Sequence, residues 1–271
     1  MPLNFKNILV PFDNSKSAFK ALELAILFGK KCNSKVTMVH VVTSPSRDQS
    51  DQVKSVMAKK KEESGLEFLF LKQTGRIHIG VIEAAKTIEA DLIVMGTHGA
   101  SGFQEFWIGT NAFRVVSSAL VPVITVREDV ESIDFKNIII PIDDFKETRQ
   151  KVPTAIGMAK LLGAQVHVFE TSKYTMEEVS NKLDRYGQQI AKLIEEEEVG
   201  VVSAEKFGGN ITENVLNYAD EVRSAIIIMM SETESSTGLF LGSNAQQLVN
   251  HSRVPVMTLH GKNLTSIVLG Y

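Results

Sequence analysis

Apolar residues gather in short unbroken runs along this chain, and the segments between the runs repeat their apolar positions every three or four residues. Ile8–Phe12 is the first such run and reads as a buried strand. Asp13-Asn14-Ser15 supplies turn and N-cap residues, and Ala18, Leu22, Ala25, Ile26 and Phe28 follow at helical spacing. Lys35–Val42, rich in valine, predicts a second strand, residues 46–64 a charged surface helix, and Leu66–Leu71 a third strand. Gly75 opens a loop before a helix carrying Ile79, Ile82, Ala85 and Ile88. Leu92–Met95 is the fourth strand, Thr110–Ala119 a helix, and Pro122–Val126 the fifth strand.

The same order then recurs. Asn7-Ile8-Leu9-Val10-Pro11-Phe12-Asp13 matches Asn137-Ile138-Ile139-Ile140-Pro141-Ile142-Asp143, and Val121-Pro122-Val123 matches Val254-Pro255-Val256. Arg127–Ser132 is polar and joins the halves. In the second half, Val179, Leu183, Tyr186, Ile190 and Leu193 step by four, three, four and three, a well-defined helix. Its end, Glu195–Glu198, opposes the helix dipole and reads as a frayed, solvated terminus. Strands separated by helices imply parallel pairing with right-handed crossovers, so each half is expected to be a doubly wound α/β sheet. Such sheets hold ligands at the C-terminal strand edge where the strand order reverses. Asp13, after the first strand, and Gly96, after the fourth, both fall on that edge.

A glycine pattern sharpens this picture. Gly96-Thr97-His98-Gly99 is followed after nine residues by Gly109-Thr110-Asn111-Ala112. A glycine-rich turn lets backbone N–H groups approach a phosphate, and the following helix start adds its positive dipole end. The second copy keeps Gly242-Ser243-Asn244-Ala245 but reads Met229-Met230-Ser231-Glu232 where the first two glycines would stand. Aligned this way, Met229 and Glu232 replace Gly96 and Gly99, filling space and adding a like charge where phosphate is expected. The second half is therefore expected to bind nucleotide weakly or not at all, although Asp143 remains.

Composition narrows the function further. Cys32 is the only cysteine, which excludes an intrachain disulfide and any CxxC motif and points to a reducing cytoplasm. No apolar run reaches the roughly 20 residues needed to span a bilayer, and the N-terminus leads straight into a strand without a signal-peptide pattern. Net charge is −3, with 16 Lys+Arg against 14 Asp+Glu in residues 1–133 and no basic stripe, so nucleic acid and membrane are not expected partners. No histidine spacing suits a metal.

These residues resemble the universal stress protein family in its tandem two-domain form. The resemblance rests on Gly96, Gly99, Gly109 and Thr110 in a Gly-x-x-Gly, nine residues, Gly-Ser/Thr pattern, on Asp13 ending the first strand, and on a Val-Pro-Val strand closing each repeat. It implies two doubly wound parallel-sheet domains in tandem, Rossmann-like and adenine nucleotide alpha hydrolase-like, over residues 1–127 and 136–260, with a tail at 261–271. It implies ATP or another adenine nucleotide as ligand, with Mg2+ accompanying the phosphates. Asp13 would accept from the adenine amino group and Val41 would offer backbone contacts to the base edge. Gly96 and Gly99 would pass close to ribose and phosphates, Gly109, Thr110 and Asn111 would cradle phosphates, and Pro11, Met95 and His98 complete the candidate set. Pairing of the two domains through the final strands, and a homodimer of the chain, are also expected.

Plainer roles compete with these. The glycines can serve a tight turn, and Asp13 can serve only as a helix cap. Phe103, Phe106 and Trp107 in the glycine loop, echoed by Leu239 and Phe240, suit a domain interface better than ligand chemistry. No HxGH motif, Walker A lysine or SGGxDS loop is present, so no dedicated catalysis is expected. Slow ATP hydrolysis or self-phosphorylation at Thr110, Ser117 or Ser118, and a pure interaction module, are the alternatives.

Overall fold

The structure, a computed structural model, describes residues 3–97, 109–130, 133, 135–143, 146–223, 225–231 and 242–261. Two compact units divide the chain, one running Asn4–Val130 and the other taking Glu131 onward together with Met1–Leu3.

In the first unit the strands are β1 (Asn7–Pro11), β2 (Lys35–Val42), β3 (Glu67–Thr74), β4 (Leu92–Gly96) and β5 (Val123–Val126). They lie parallel in the order β3-β2-β1-β4-β5. The helices are α1 (Lys16–Cys32), α2 (Ser50–Ser64), α3 (Ile77–Thr87) and α4 (Thr110–Ser118). The chain winds from β1 outward to β3, returns to β4 beside β1, and then winds the other way. The order therefore reverses between β1 and β4, the place where doubly wound sheets hold ligands at their C-terminal strand ends. The central strands are fully buried, as a sheet covered on both faces requires: Ile8, Leu9, Val10, Leu92, Ile93 and Val94 have no exposed surface.

Helix α1 forms because its buried positions, Ala18, Ala21, Leu22, Ala25 and Phe28, make one stripe. Ser15 caps it, its Oγ accepting from Ala18 N–H at 3.2 Å, and Asn33 ends it in the left-handed region at φ 52°. The expected strand Leu66–Leu71 in fact runs on to Thr74, held by a register that pairs Val42 with Thr74. The charged segment at 46–64 divides into a 3-10 turn, Pro45–Arg47, and α2.

The second unit repeats the plan. Strands β6 (Asn137–Ile142), β7 (Gln165–Ser172), β8 (Val201–Phe207), β9 (Ala225–Met230) and β10 (Val256–Leu259) lie parallel in the order β8-β7-β6-β9-β10. Its helices are α5 (Val152–Leu162), α6 (Glu177–Glu196), α7 (Ile211–Val222) and α8 (Ser243–His251). Two differences from the first unit matter. Helix α5 has 11 residues where α1 has 17, because a 3-10 turn, Lys146–Lys151, takes the place of its opening turn and a half. The ladders also correct the alignment of the glycine pattern. Ile8 pairs with Leu92 and Ile138 with Ile226, while Ile93 pairs with Val123 and Ile227 with Val256. Met230, not Met229, thus stands where Gly96 stands, and Ser231 where Thr97 stands. A one-residue slip along a strand sends a side chain to the opposite face.

Candidate functional site

The described candidate residues of the first unit lie at the C-terminal ends of β1, β2 and β4 and at the start of α4. Pro11 is the last residue of β1 and pairs with Val39. Just beyond, Asp13 Oδ1 accepts from Ser15 N–H at 3.1 Å, and Asn14 adopts φ 60°. This is an Asx turn, so Ser15 rather than Asp13 caps α1. Val41, two strands from β4, pairs with Gln73 near the end of β2. Met95 is buried on β4 beside Thr125, and Gly96 ends that strand opposite Val126.

Gly96 has a packing reason of its own. A Cβ there would lie 2.7 Å from Ser17 Cβ and 2.8 Å from the Ser17 carbonyl carbon. Real side chains do not approach so closely, so the missing side chain is what lets the first turn of α1 settle on β4. In the second unit Met230 fills the equivalent position and the chain there opens with the 3-10 turn packed against β9.

The glycine loop is closed at its base. Gly109 N–H donates to Thr97 O at 2.8 Å, and a Cβ on Gly109 would sit 3.1 Å from that same oxygen. Helix α4 starts directly afterwards, with Gly109 at its N-cap, no side chain capping it and no acidic residue in its first turn. The N–H groups of Thr110 and Asn111 have no intrahelical acceptor and point outward with the positive end of the helix dipole. Gly242 N–H donates to Ser231 O at the same 2.8 Å in the second unit, so this closure outlives the loss of the other glycines. His98 and Gly99 lie outside the described residues, as do Phe103, Phe106, Trp107, Glu232, Leu239, Phe240 and the tail beyond Gly261.

Sequence reasoning missed three features. His40, buried on β2, donates from Nδ1 to Phe12 O at 3.0 Å and accepts at Nε2 from Gln49 N–H at 3.2 Å. A carbonyl can only accept, so this pair of bonds requires the neutral ring protonated at Nδ1. The ring thereby joins the end of β1 to the start of α2 beside Val41. The second feature is Gly80 of α3, where a Cβ would meet both Val41 methyls at 3.0 Å and Gln73 Cβ at 3.1 Å. An isolated glycine in a helical pattern gives no hint of such a partner. The third is Lys151 of the second unit, 2 % exposed, which burial pushes down to about 8 against the pull of the Asp143 carboxylate. The residue equivalent to Asp13 there feels the charge of an internal ammonium.

Among the described residues, no helix is long and apolar enough to cross a membrane, and no group of three His, Cys, Asp or Glu is placed to hold a metal ion.

Fold and topology together define a duplicated α/β protein whose first sheet reverses its strand order between β1 and β4, with the start of α4 at that edge. Comparison with known proteins agrees. The model of the universal stress protein family matches twice, over residues 4–127 and 134–260. A universal stress protein of Methanocaldococcus jannaschii is 28 % identical over 141 residues, which are 46 % of this chain and 83 % of that protein. The crystal structure of a universal stress protein from Archaeoglobus fulgidus superposes with a TM-score of 0.73 at 21 % identity, covering 94 % of this chain and 98 % of that one. A functionally unknown protein from Pseudomonas aeruginosa superposes with a TM-score of 0.75 at 15 % identity, covering 97 % of this chain and 95 % of that one. The chain belongs to the universal stress protein family, with two family domains in tandem.

Proposed function

We propose that the first unit binds an adenine nucleotide, ATP in the first instance, and that the chain is a nucleotide-dependent regulator in a stress response. The observation that carries this reading is the convergence of Asp13, the Thr97–Gly109 closure and the uncapped start of α4 on one strand-order reversal. Thr110 and Asn111 would take phosphate through their N–H groups, with Mg2+ accompanying it, and Asp13 and the backbone of Val41 would take the base. The second unit would not share this role, because Met230 fills the position of Gly96 and the buried Lys151 charge attracts the Asp143 carboxylate.

A second reading has its own support. The Gly96–Ser17 approach and the loop closure kept in the second unit both serve packing, as a pure interaction module would need. Calorimetry separates the two. One equivalent of ATP bound per chain supports the nucleotide site; two equivalents refute the inert second unit; none leaves the interaction module. Phosphate release measured against a Thr110→Ala control tests slow hydrolysis in the same preparation.

A further inference from the structure

Close packing of two helices gathers basic side chains next to the start of α4. Gly80 lets α3 lie directly on Val41 and Gln73, and α3 runs alongside α4. Arg76 immediately precedes α3, His78 lies in its first turn, and Arg114 lies one turn into α4 beyond Thr110. Burial, then the charges of Arg114 and Arg76, hold the His78 imidazole below its ordinary pKa. Its Nδ1 is buried without a hydrogen-bond partner among the described residues. Neither guanidinium makes an ion pair among the described residues either, whereas Lys72 is met by Asp48 at 2.7 Å, Lys35 by Glu67 at 2.8 Å and Arg127 by Asp129 at 2.9 Å. Among the described residues these two cations and the ring have no opposing group, so they repel one another, and an anion beside them relieves all three. A guanidinium offers a planar fork of N–H donors that fits a phosphate bidentately.

We infer that Arg76, His78 and Arg114 form a site for a phosphate group, beside the first turns of α3 and α4 and next to Thr110 and Asn111. The group it takes is the outer phosphate of a polyphosphate chain, carried by a nucleotide or free. The inference rests on the nucleotide reading only for the identity of that carrier.

The test is calorimetry of the full chain with ATP, AMP and inorganic tripolyphosphate, comparing wild type with Arg76→Gln/Arg114→Gln. ATP affinity should fall about 10- to 100-fold in the variant, with AMP affinity unchanged, as expected for loss of two charge-assisted contacts to the outer phosphate. Lys86→Gln, a charge removed from the far end of α3, should leave both affinities alone. If no adenylate binds but tripolyphosphate does, and the variant loses it, the nucleotide reading fails and this site stands. Equal losses for ATP and AMP, unchanged affinity in the variant, or no polyphosphate binding by the wild type would each overturn it. The single variant Arg76→Gln, at an exposed position preceding the helix, repeats the test where folding is not at stake.

Discussion

Gly187 of α6 lies directly over Glu170 of β7: a Cβ on the glycine would collide with Glu170 Oε1 and sit 2.5 Å from its carboxyl carbon. The helix thus presses on a carboxyl group only 5 % exposed. Glu170 pairs in register with Glu205 on β8, and Asp184 of α6 adds a third negative charge. Burial, then Asp184 and Glu205, push the Glu170 carboxyl up to about 7 from an ordinary 4.5.

Stability should therefore fall as pH rises from about 4.5 to 7. In that window the folded chain keeps a proton that the unfolded chain has released, so raising the pH favours unfolding. The full effect is about 3 kcal/mol, from roughly 1.4 kcal/mol per pKa unit. Urea midpoints of wild type and Glu170→Gln, taken at pH 5 and pH 8, check this: the variant should gain on the wild type at the higher pH. A difference that does not change with pH would remove Glu170 as its source.

The same contact predicts coupling. Gly187→Ala should destabilise by roughly 1–3 kcal/mol through overpacking, despite alanine's better helix propensity. Shortening the partner, Glu170→Ala, should recover most of that loss. Additive effects in the double variant would mean that helix and carboxyl do not meet.

Lys151 predicts the opposite slope at alkaline pH. Its folded value of about 8 lies below the ordinary 10.5. Between these values the unfolded chain holds a proton that the folded chain lacks, so stability rises with pH. Wild type should gain up to about 3 kcal/mol on Lys151→Met between pH 7.5 and 10.5. A constant gap between the two chains in urea denaturation would rule the buried ammonium out.

Much of this fold is legible in the sequence, because buried strands and one-sided helices write their periods directly into the order of residues. The runs at Ile8, Leu92, Ile138 and Ile226 are continuous because helices cover both faces of each sheet. The strand-order reversal, and with it the place of Asp13 and Gly96, follows from that alternation. The one-residue shift between β4 and β9 does not, since loops of unequal length hide it until the ladders are seen. Nor does the 3-10 turn at Lys146–Lys151, where the repeat leads one to expect helix. Gly80 and Gly187 are silent as letters; only the presence of Val41 or Glu170 against the bare backbone gives them meaning. Arg76 and Arg114 are far apart in the chain and become neighbours only when α3 packs on α4.

Gly96 tests packing apart from ligand binding. Gly96→Ala brings a methyl group into Ser17 and should cost roughly 1–3 kcal/mol in the unliganded chain. Ser17→Gly opens the space again and should restore part of that stability in the double variant. An unliganded Gly96→Ala chain with wild-type thermal stability would show that α1 does not need the bare strand end.

Thr110→Asp separates the α4 site from the fold that carries it. Thr110 is exposed at the first position of a helix with no acidic residue in its opening turn. A carboxylate there complements the helix dipole and should leave stability unchanged or raise it by about 0.3–1 kcal/mol. The same carboxylate stands where phosphate would be bound, and like-charge repulsion should weaken ATP by about tenfold or more. Thermal unfolding and calorimetry on one preparation give both quantities. Undiminished ATP affinity in a stable variant would move the phosphates away from α4, while a stabilised chain that no longer binds is what an anion seated on the first-turn amides of Thr110 and Asn111 requires.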